Sequence, residues 1–232
     1  MKLALYEPRA LGNTRWAQMR HVFVETNWVV DYCAPVHQRA LAAVKLLEEA
    51  NSGKIQLHLP APCLAEARSA IRIKFQPKEA NRLREYLKWA RANGHVNTET
   101  EETTRSVLDQ FEGMVKRDLD NLEARIEGLK AEKGLDIFPL STDMLERSIS
   151  LTTEKMELKP YDNSILAAIL VRAHELAGDG EKDLALCELD GDLQPWDKNG
   201  NFKPALTRLY DEARVWVYGD FTMTTPEPPD NW

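Results

Sequence analysis

The chain has 232 residues, a formal net charge of −7, 43% hydrophobic residues and 29% charged ones. That length and balance suit one elaborated globular domain with a real core. The acidic total argues against a protein that coats nucleic acid through general basicity, although a local basic patch stays open because steering depends on where charge sits. Cys33, Cys63 and Cys187 are scattered without C-x-x-C spacing, which points to reduced, buried thiols and a cytoplasmic setting. The apolar start of the chain is broken by Glu7, Pro8 and Arg9. It is too short for a signal peptide, and no stretch approaches membrane-spanning length, so no membrane association is expected.

Val22-Phe23-Val24 reads as a buried strand that stops at Glu25, because β-branched and aromatic residues favour the pleated sheet. Trp28 to Tyr32 continues as a first helical turn. Residues 36–50 follow as an amphipathic helix with the apolar face Ala40, Leu41, Val44, Leu47 and Ala50, ended by Asn51-Ser52-Gly53. Ile55, Leu57 and Leu59 alternate in a second strand closed by Pro60, and Pro62 suits the first turn of a helix that carries Glu66. Strand, helix, strand, helix is the pattern of a parallel βαβ core.

Residues 76–134 change character. Leu83, Tyr86, Leu87 and Ala90 form a short apolar face before the break at Asn93-Gly94. Val107 or Leu108, Phe111, Val115, Leu119, Leu122, Ile126 and Leu129 then recur at three- and four-residue spacing, which predicts one long helix of near-heptad period. The expectation is an antiparallel helical hairpin inserted in a domain that spans residues 1–218. After it, Ser141-Thr142-Asp143 caps a helix running to about Met156. Asp162 stands at the amino-terminal end of an apolar helix containing Ile165, Leu166, Ala168, Ile169 and Val171. Leu184 to Leu189 and Arg214 to Tyr218 read as strands, and the Pro-rich tail 219–232 is expected to be disordered.

Each of four apolar-framed segments delivers a carboxylate where a strand ends or a helix begins: Glu25, Glu66, Asp162, and the Glu188-Leu-Asp190-Gly-Asp192 run. In an open α/β sheet such positions converge on the crevice at the carboxyl ends of the strands. Acids gathered there repel one another, and a hard divalent cation relieves them. The histidines at 21, 37, 58, 95 and 174 lack the spacing of a zinc helix and read as structural or surface residues, and Asp197 reads as a loop acid.

Taken in order, these segments resemble the PIN-domain nucleases, the family that includes the ribonuclease toxins of bacterial toxin–antitoxin pairs. Val24-Glu25-Thr26-Asn27 matches the family's strand–Asp-Thr-Asn opening except for Glu in place of Asp. Glu66 matches the Glu early in the second helix. Asp162, in Asp-Asn-Ser-Ile-Leu-Ala-Ala, matches the Asp that opens an Ala-rich helix. Glu188-Leu189-Asp190-Gly191-Asp192-Leu193 matches the closing Thr-x-Asp-x-Asp-Phe, with Glu188 replacing a small hydroxyl residue. The resemblance covers about residues 20–75 and 137–218 and no part of the hairpin. It implies a three-layer α/β/α sandwich around a central parallel sheet. It also implies a cytoplasmic, Mg²⁺- or Mn²⁺-dependent endoribonuclease acting on single-stranded RNA. Glu25, Asp162 and Asp190 would be the metal ligands, and Glu66 and Asp192 would bind directly or through water. Asn27 would fix the first acid beside the substrate. Metal ions held by carboxylates would make water nucleophilic at neutral pH and neutralise phosphate charge. Paired PIN domains imply a homodimer.

A second patch offsets the acidic total. Arg68, Arg72, Lys74, Lys78, Arg82, Arg84, Lys88 and Arg91 cluster with Tyr86 and Trp89 between them. Aromatics beside cations stack on unpaired bases while the charges hold phosphate, which makes Arg68, Arg82, Arg84 and Lys88 candidate RNA contacts. The alternative is a solvated helix face with both aromatics packed on the long helix. Two rival functions stay open: a catalytically weak PIN-like domain that engages RNA or a protein partner through its hairpin, and a phosphohydrolase of small esters.

Overall fold

A computed structural model of the chain describes residues 19–154, 156 and 158–226. The first strand, β1 (Arg20–Phe23), runs directly into α1 (Thr26–Cys33). A short 3-10 turn at Val36–Gln38 leads to α2 (Leu41–Asn51), β2 (Ile55–Pro60) and α3 (Pro62–Lys74). The insertion supplies α4 (Lys78–Ala92), α5 (Thr98–Asp120) and α6 (Leu122–Leu129), and the chain returns through β3 (Leu135–Phe138) and α7 (Thr142–Thr153). It closes with α8 (Pro160–Gly178), β4 (Leu184–Cys187), α9 (Pro204–Ala213) and β5 (Val215–Tyr218). The strands form one sheet in the order β3-β2-β1-β4-β5, and each neighbouring pair is parallel. Helices α1, α2, α3 and α6 pack together, as do α7, α8 and α9, and the sheet lies between helical layers in a three-layer α/β/α sandwich.

Burial explains the sequence pattern. A parallel sheet covered on both faces needs apolar residues on both sides of each strand, and all of Leu184–Cys187 is buried. Helix α8 is apolar nearly all round, with Ile165, Leu166, Ala167, Ala168, Ile169 and Leu170 buried in succession, as a helix enclosed by its neighbours requires. Trp28 is fully buried in α1 and its indole N–H donates to Ala43 O at 3.2 Å, tying α1 to α2. Ser141 caps α7 as the sequence indicates, accepting from Met144 N at 3.3 Å.

The structure departs from the sequence reading in several elements. On α2 the buried face is Ala43, Leu46, Leu47 and Ala50, while Leu41 is 76% exposed; the helix is rotated from the predicted face. The long helix is broken at Asn121. Its second piece is not part of a projecting hairpin, because Leu122, Ile126 and Leu129 are buried in the core against α1 and α3. Only α4 and α5 pair as an antiparallel hairpin, held by Arg84 to Asp109 and Glu112 and by Arg91 to Glu101. Strand β3 and helix α9 have no counterpart in the sequence reading. The predicted disorder from residue 219 does not hold as far as Pro226, where Gly219 N donates to Thr225 O at 2.7 Å and Trp216 Nε1 donates to Pro226 O at 2.9 Å. Residues 227–232 lie outside the described residues.

Strand β3 carries Asp136 because it has a partner inside the sheet. His21 Nδ1 and His58 Nε2 are 2.9 Å apart, His58 Nδ1 lies 2.9 Å from Asp136 Oδ2, and Arg172 donates to the same oxygen at 3.1 Å. Both imidazoles are buried, so this chain of polar groups satisfies atoms that would otherwise be costly inside the core. The three cysteines are free and buried. Among the described residues no helix is long and apolar enough to cross a membrane.

The return from the insertion leaves no spare volume. Gly134 O accepts from Leu57 N at 2.9 Å, and a Cβ built on Gly134 would come within 2.2 Å of Ala50 C and 2.5 Å of Ala50 O. Backbone cannot yield as a flexible side chain can, so Gly134→Ala is expected to cost about 2 kcal/mol or more. Urea unfolding of the variant beside the wild type measures it. A loss below ~0.5 kcal/mol would show that the α2–β3 approach can open.

Candidate active site

The cleft is assembled from chain segments that a parallel sheet brings to one edge. Strands β1 and β4 are neighbours, so the residues after them share the carboxyl end of the sheet, and α3 begins where β2 ends. Glu25 follows β1 and caps α1, its carboxylate accepting from Asn27 N at 2.9 Å. Glu66 stands on α3, and Thr26 donates its hydroxyl to Glu66 Oε2. Asp162 lies in the first turn of α8, where Lys159 holds the cap position; its carboxylate is therefore not spent on capping. Asp190 follows β4, its Oδ1 accepting from Asp192 N at 2.8 Å. Glu25, Glu66, Asp162 and Asp190 line one cleft of about 170 Å³, together with Thr26, Asn27, Tyr161 and Lys74.

Behind it sits Glu188, which the sequence reading takes as a further acid near the site that either compensates for Glu25 in place of Asp or marks a degenerate site. Glu188 is fully buried; its Oε1 accepts from Asp190 N at 2.6 Å, while Oε2 has no hydrogen-bond donor. Burial above all, and then the Glu25 charge, push its carboxyl well above the ordinary range. Glu25, only 5% exposed, is pushed up to about 8, chiefly by burial, with Asp190 and Glu66 adding repulsion against the Asn27 N–H that favours the ionised form. Asp162 is raised by burial, which Lys159 partly offsets and Asp190 and Glu66 reinforce. Each of these shifts disfavours the ionised form, as burial and neighbouring like charge do.

Part of this arrangement suits a divalent cation. The donors are all oxygens, which favours a hard ion, and Asp162 Oδ2 and Glu188 Oε2 are buried without a hydrogen-bond donor. A cation would supply the missing partner and lower every raised carboxyl. Yet among the described residues no group of three or more His, Cys, Asp or Glu forms a metal-holding cluster as placed. Lys159 Nζ stands 3.9 Å from Asp162 Oδ2. As placed, the described carboxylates do not converge on one cation position.

Other predicted contacts fall elsewhere. Asp192 is exposed, pairs with Lys159 at 3.1 Å and lines a neighbouring groove rather than the cleft. Arg68 pairs with Glu123 at 2.7 Å, joining α3 to α6. Arg84 lies 2.5 Å from both Asp109 and Glu112, joining α4 to α5. Both guanidiniums serve helix packing, and carboxylates from other elements occupy the place expected for phosphate. Arg82 and Lys88 are exposed on α4 and neither lines the cleft. Tyr86 and Trp89 do not pack beneath α5: they are 60% and 53% exposed, with rings stacked 5.7 Å apart. The cations beside the acids are Lys74, which lines the cleft and lies 3.5 Å from Asp31, and Lys159, which pairs with Asp192.

Fold and site together define an α/β protein with an acidic cleft at the carboxyl edge of a parallel sheet. Scans against protein-family models, curated proteins and solved structures each give no match.

Proposed function

We propose that the chain is a divalent-cation-dependent nuclease that hydrolyses single-stranded RNA. The observation that carries this reading is the convergence of Glu25, Glu66, Asp162 and Asp190, drawn from four distant segments, on one cleft. Core packing does not call for mutually repelling acids at this edge, since such a cluster costs stability unless something compensates it. When bound, Mg²⁺ or Mn²⁺ would neutralise phosphate charge and lower the pKa of water. Glu25, Asp162 and Asp190 are the residues that would hold it, with Glu66 beside them. The chain's own groups prepare the site. Asn27 N–H fixes Glu25, the Thr26 hydroxyl orients Glu66, and Glu188 anchors the backbone of Asp190. Lys74 and Lys159 offer positive charge to a polyanion that would otherwise be repelled. Buried, unpaired cysteines accord with a cytoplasmic setting.

A second reading has its own observation. Lys159 stands 3.9 Å from Asp162 Oδ2 and offers the acids a counter-charge that needs no metal. In that case the domain binds RNA, or a protein at the exposed Tyr86 and Trp89, without cutting. Incubating a mixed-sequence single-stranded RNA with the wild type and Glu25→Asp, with Mn²⁺ and with EDTA, separates the two. Cation-dependent cleavage by the wild type is the expected result. A silent wild type beside a cleaving Glu25→Asp would favour the second reading. Cleavage unaffected by EDTA would remove the first.

A further inference from the structure

The acid cleft continues along the protein surface. Lys159 Nζ lies 3.9 Å from Asp162 Oδ2 in the cleft and 3.1 Å from Asp192 Oδ2, and Asp192 lines a groove of about 510 Å³ with Leu158, Phe202 and Lys203. Phe202 is also a wall of a smaller cavity of about 230 Å³ formed with Trp196, Tyr210, Trp216 and Pro226. Two of those rings already use their polar atoms. Tyr210 OH donates to Leu193 O at 2.9 Å and Trp216 Nε1 to Pro226 O at 2.9 Å, so what remains for a ligand is ring surface. Leu193 itself lines the acid cleft. The aromatic cavity and the acids are thus tied to opposite ends of one loop, Glu188 to Trp196.

Phe202 is 72% exposed, a large apolar ring held out into solvent. The loop that presents it is stiff. Asp197 Oδ1 accepts from Asn199 N at 2.8 Å and Asn201 N at 2.9 Å, Asp197 Oδ2 accepts from Asn201 Nδ2 at 3.0 Å, and Trp196 and Phe202 form an antiparallel bridge. A ring carried on a backbone already held in place costs less ordering of the loop when something stacks on it. Lys159 and Lys203 flank the groove, Lys203 donating to Gly191 O.

We propose that this groove is the subsite for an unpaired nucleotide adjoining the scissile phosphate. Its base lies on Phe202 at the mouth of the Trp196–Trp216 cavity, and its phosphates face Lys159 and Lys203. This rests on the nuclease reading and deepens it, because it gives a physical reason for single-strand choice. Every base has a face to stack, so the subsite tolerates sequence, whereas bases within a duplex are not free to splay onto an aromatic ring.

The test is binding without turnover, in EDTA, using the full chain and a fluorescein-labelled oligoadenylate, its abasic counterpart and a duplex. Phe202→Ala, at an exposed site, should weaken oligoadenylate binding about tenfold while leaving the abasic strand and the melting temperature unchanged. Lys203→Gln should weaken both single strands and flatten the salt dependence. Equal oligoadenylate affinity for wild type and Phe202→Ala overturns the subsite, as does failure of the wild type to prefer the single strand over the duplex. The nuclease reading fails separately: a wild type that binds through Phe202 yet cuts nothing keeps the subsite and loses the enzyme. Cleavage with binding indifferent to Phe202 does the reverse.

Discussion

In metal-free buffer the stability of the wild type should fall as pH rises from about 5 to about 8, and Glu25→Gln should remove much of that fall. The sign follows from proton counting. The unfolded Glu25 ionises near 4.5, while the folded carboxyl is pushed up to about 8. Between those values the folded state holds a proton that the unfolded state has released, so each step up in pH favours unfolding. One pKa unit is worth about 1.4 kcal/mol, so the expected change is on the order of a few kcal/mol. Glu188 and Asp162, also raised, act in the same direction. Gln keeps the oxygen that accepts from Asn27 N. Chemical denaturation across this pH range measures the slope. A flat wild-type profile would mean that the acids ionise freely, and the buried repulsion described above would be wrong. Saturating Mn²⁺ should restore stability at the alkaline end, about 2.7 kcal/mol at a hundred times the dissociation constant.

Asp162→Asn should lower RNA cleavage by at least about a hundredfold, because even residues that only support metal ligands cost 10–100-fold when changed. The replacement keeps the size of the side chain and removes its charge. Asp162 is half-buried, and the Oδ2 atom that lacks a donor is the group the cation would satisfy. The same variant should be stabilised less by Mn²⁺ than the wild type in a melting experiment, a readout independent of turnover. Cleavage that survives both EDTA and Asp162→Asn would come from another mechanism or another protein. A full Mn²⁺ stabilisation of Asp162→Asn would move the cation site away from this acid.

Much of the fold is legible in the sequence wherever burial is two-sided. The runs Val22–Val24, Leu184–Cys187 and Val215–Tyr218 and the apolar helix after Asp162 are unambiguous, because a parallel sheet leaves no polar alternation to confuse them. Strand β3 escapes for the opposite reason. Leu135-Asp136-Ile137-Phe138 carries an acid whose partners, His58 and Arg172, are far away in sequence. The heptad-like stripe runs on past Asn121, although α5 and α6 meet different neighbours, because periodicity records that a face is apolar and not what covers it. The meeting of Glu25, Glu66, Asp162 and Asp190 follows from strand order. The fates of Arg68 and Arg84 do not, since a guanidinium reaches whatever carboxylate the tertiary fold supplies. Asp192 shows the limit of a motif, because one residue separates it from Asp190 and the turn sends it to the neighbouring groove.

The strand order also sets a timetable for assembly. β1 is central, and β2, which pairs with it, is made soon after it, His58 lying beside Phe23. Its other edge must wait for β4, where Leu184 meets His21. During synthesis β1, β2 and β3 are made before the segment that covers the second edge of β1, and an uncovered apolar strand edge invites pairing with another chain. Contacts of such long sequence separation slow folding because loop closure precedes their reward. The acid cleft shares this schedule. Glu25 and Glu66 exist first, and the full repulsion that burdens the finished domain is reached only when Asp162 and Asp190 arrive. The nascent amino-terminal half thus carries only part of the electrostatic strain of the completed protein, and its larger hazard is a bare edge.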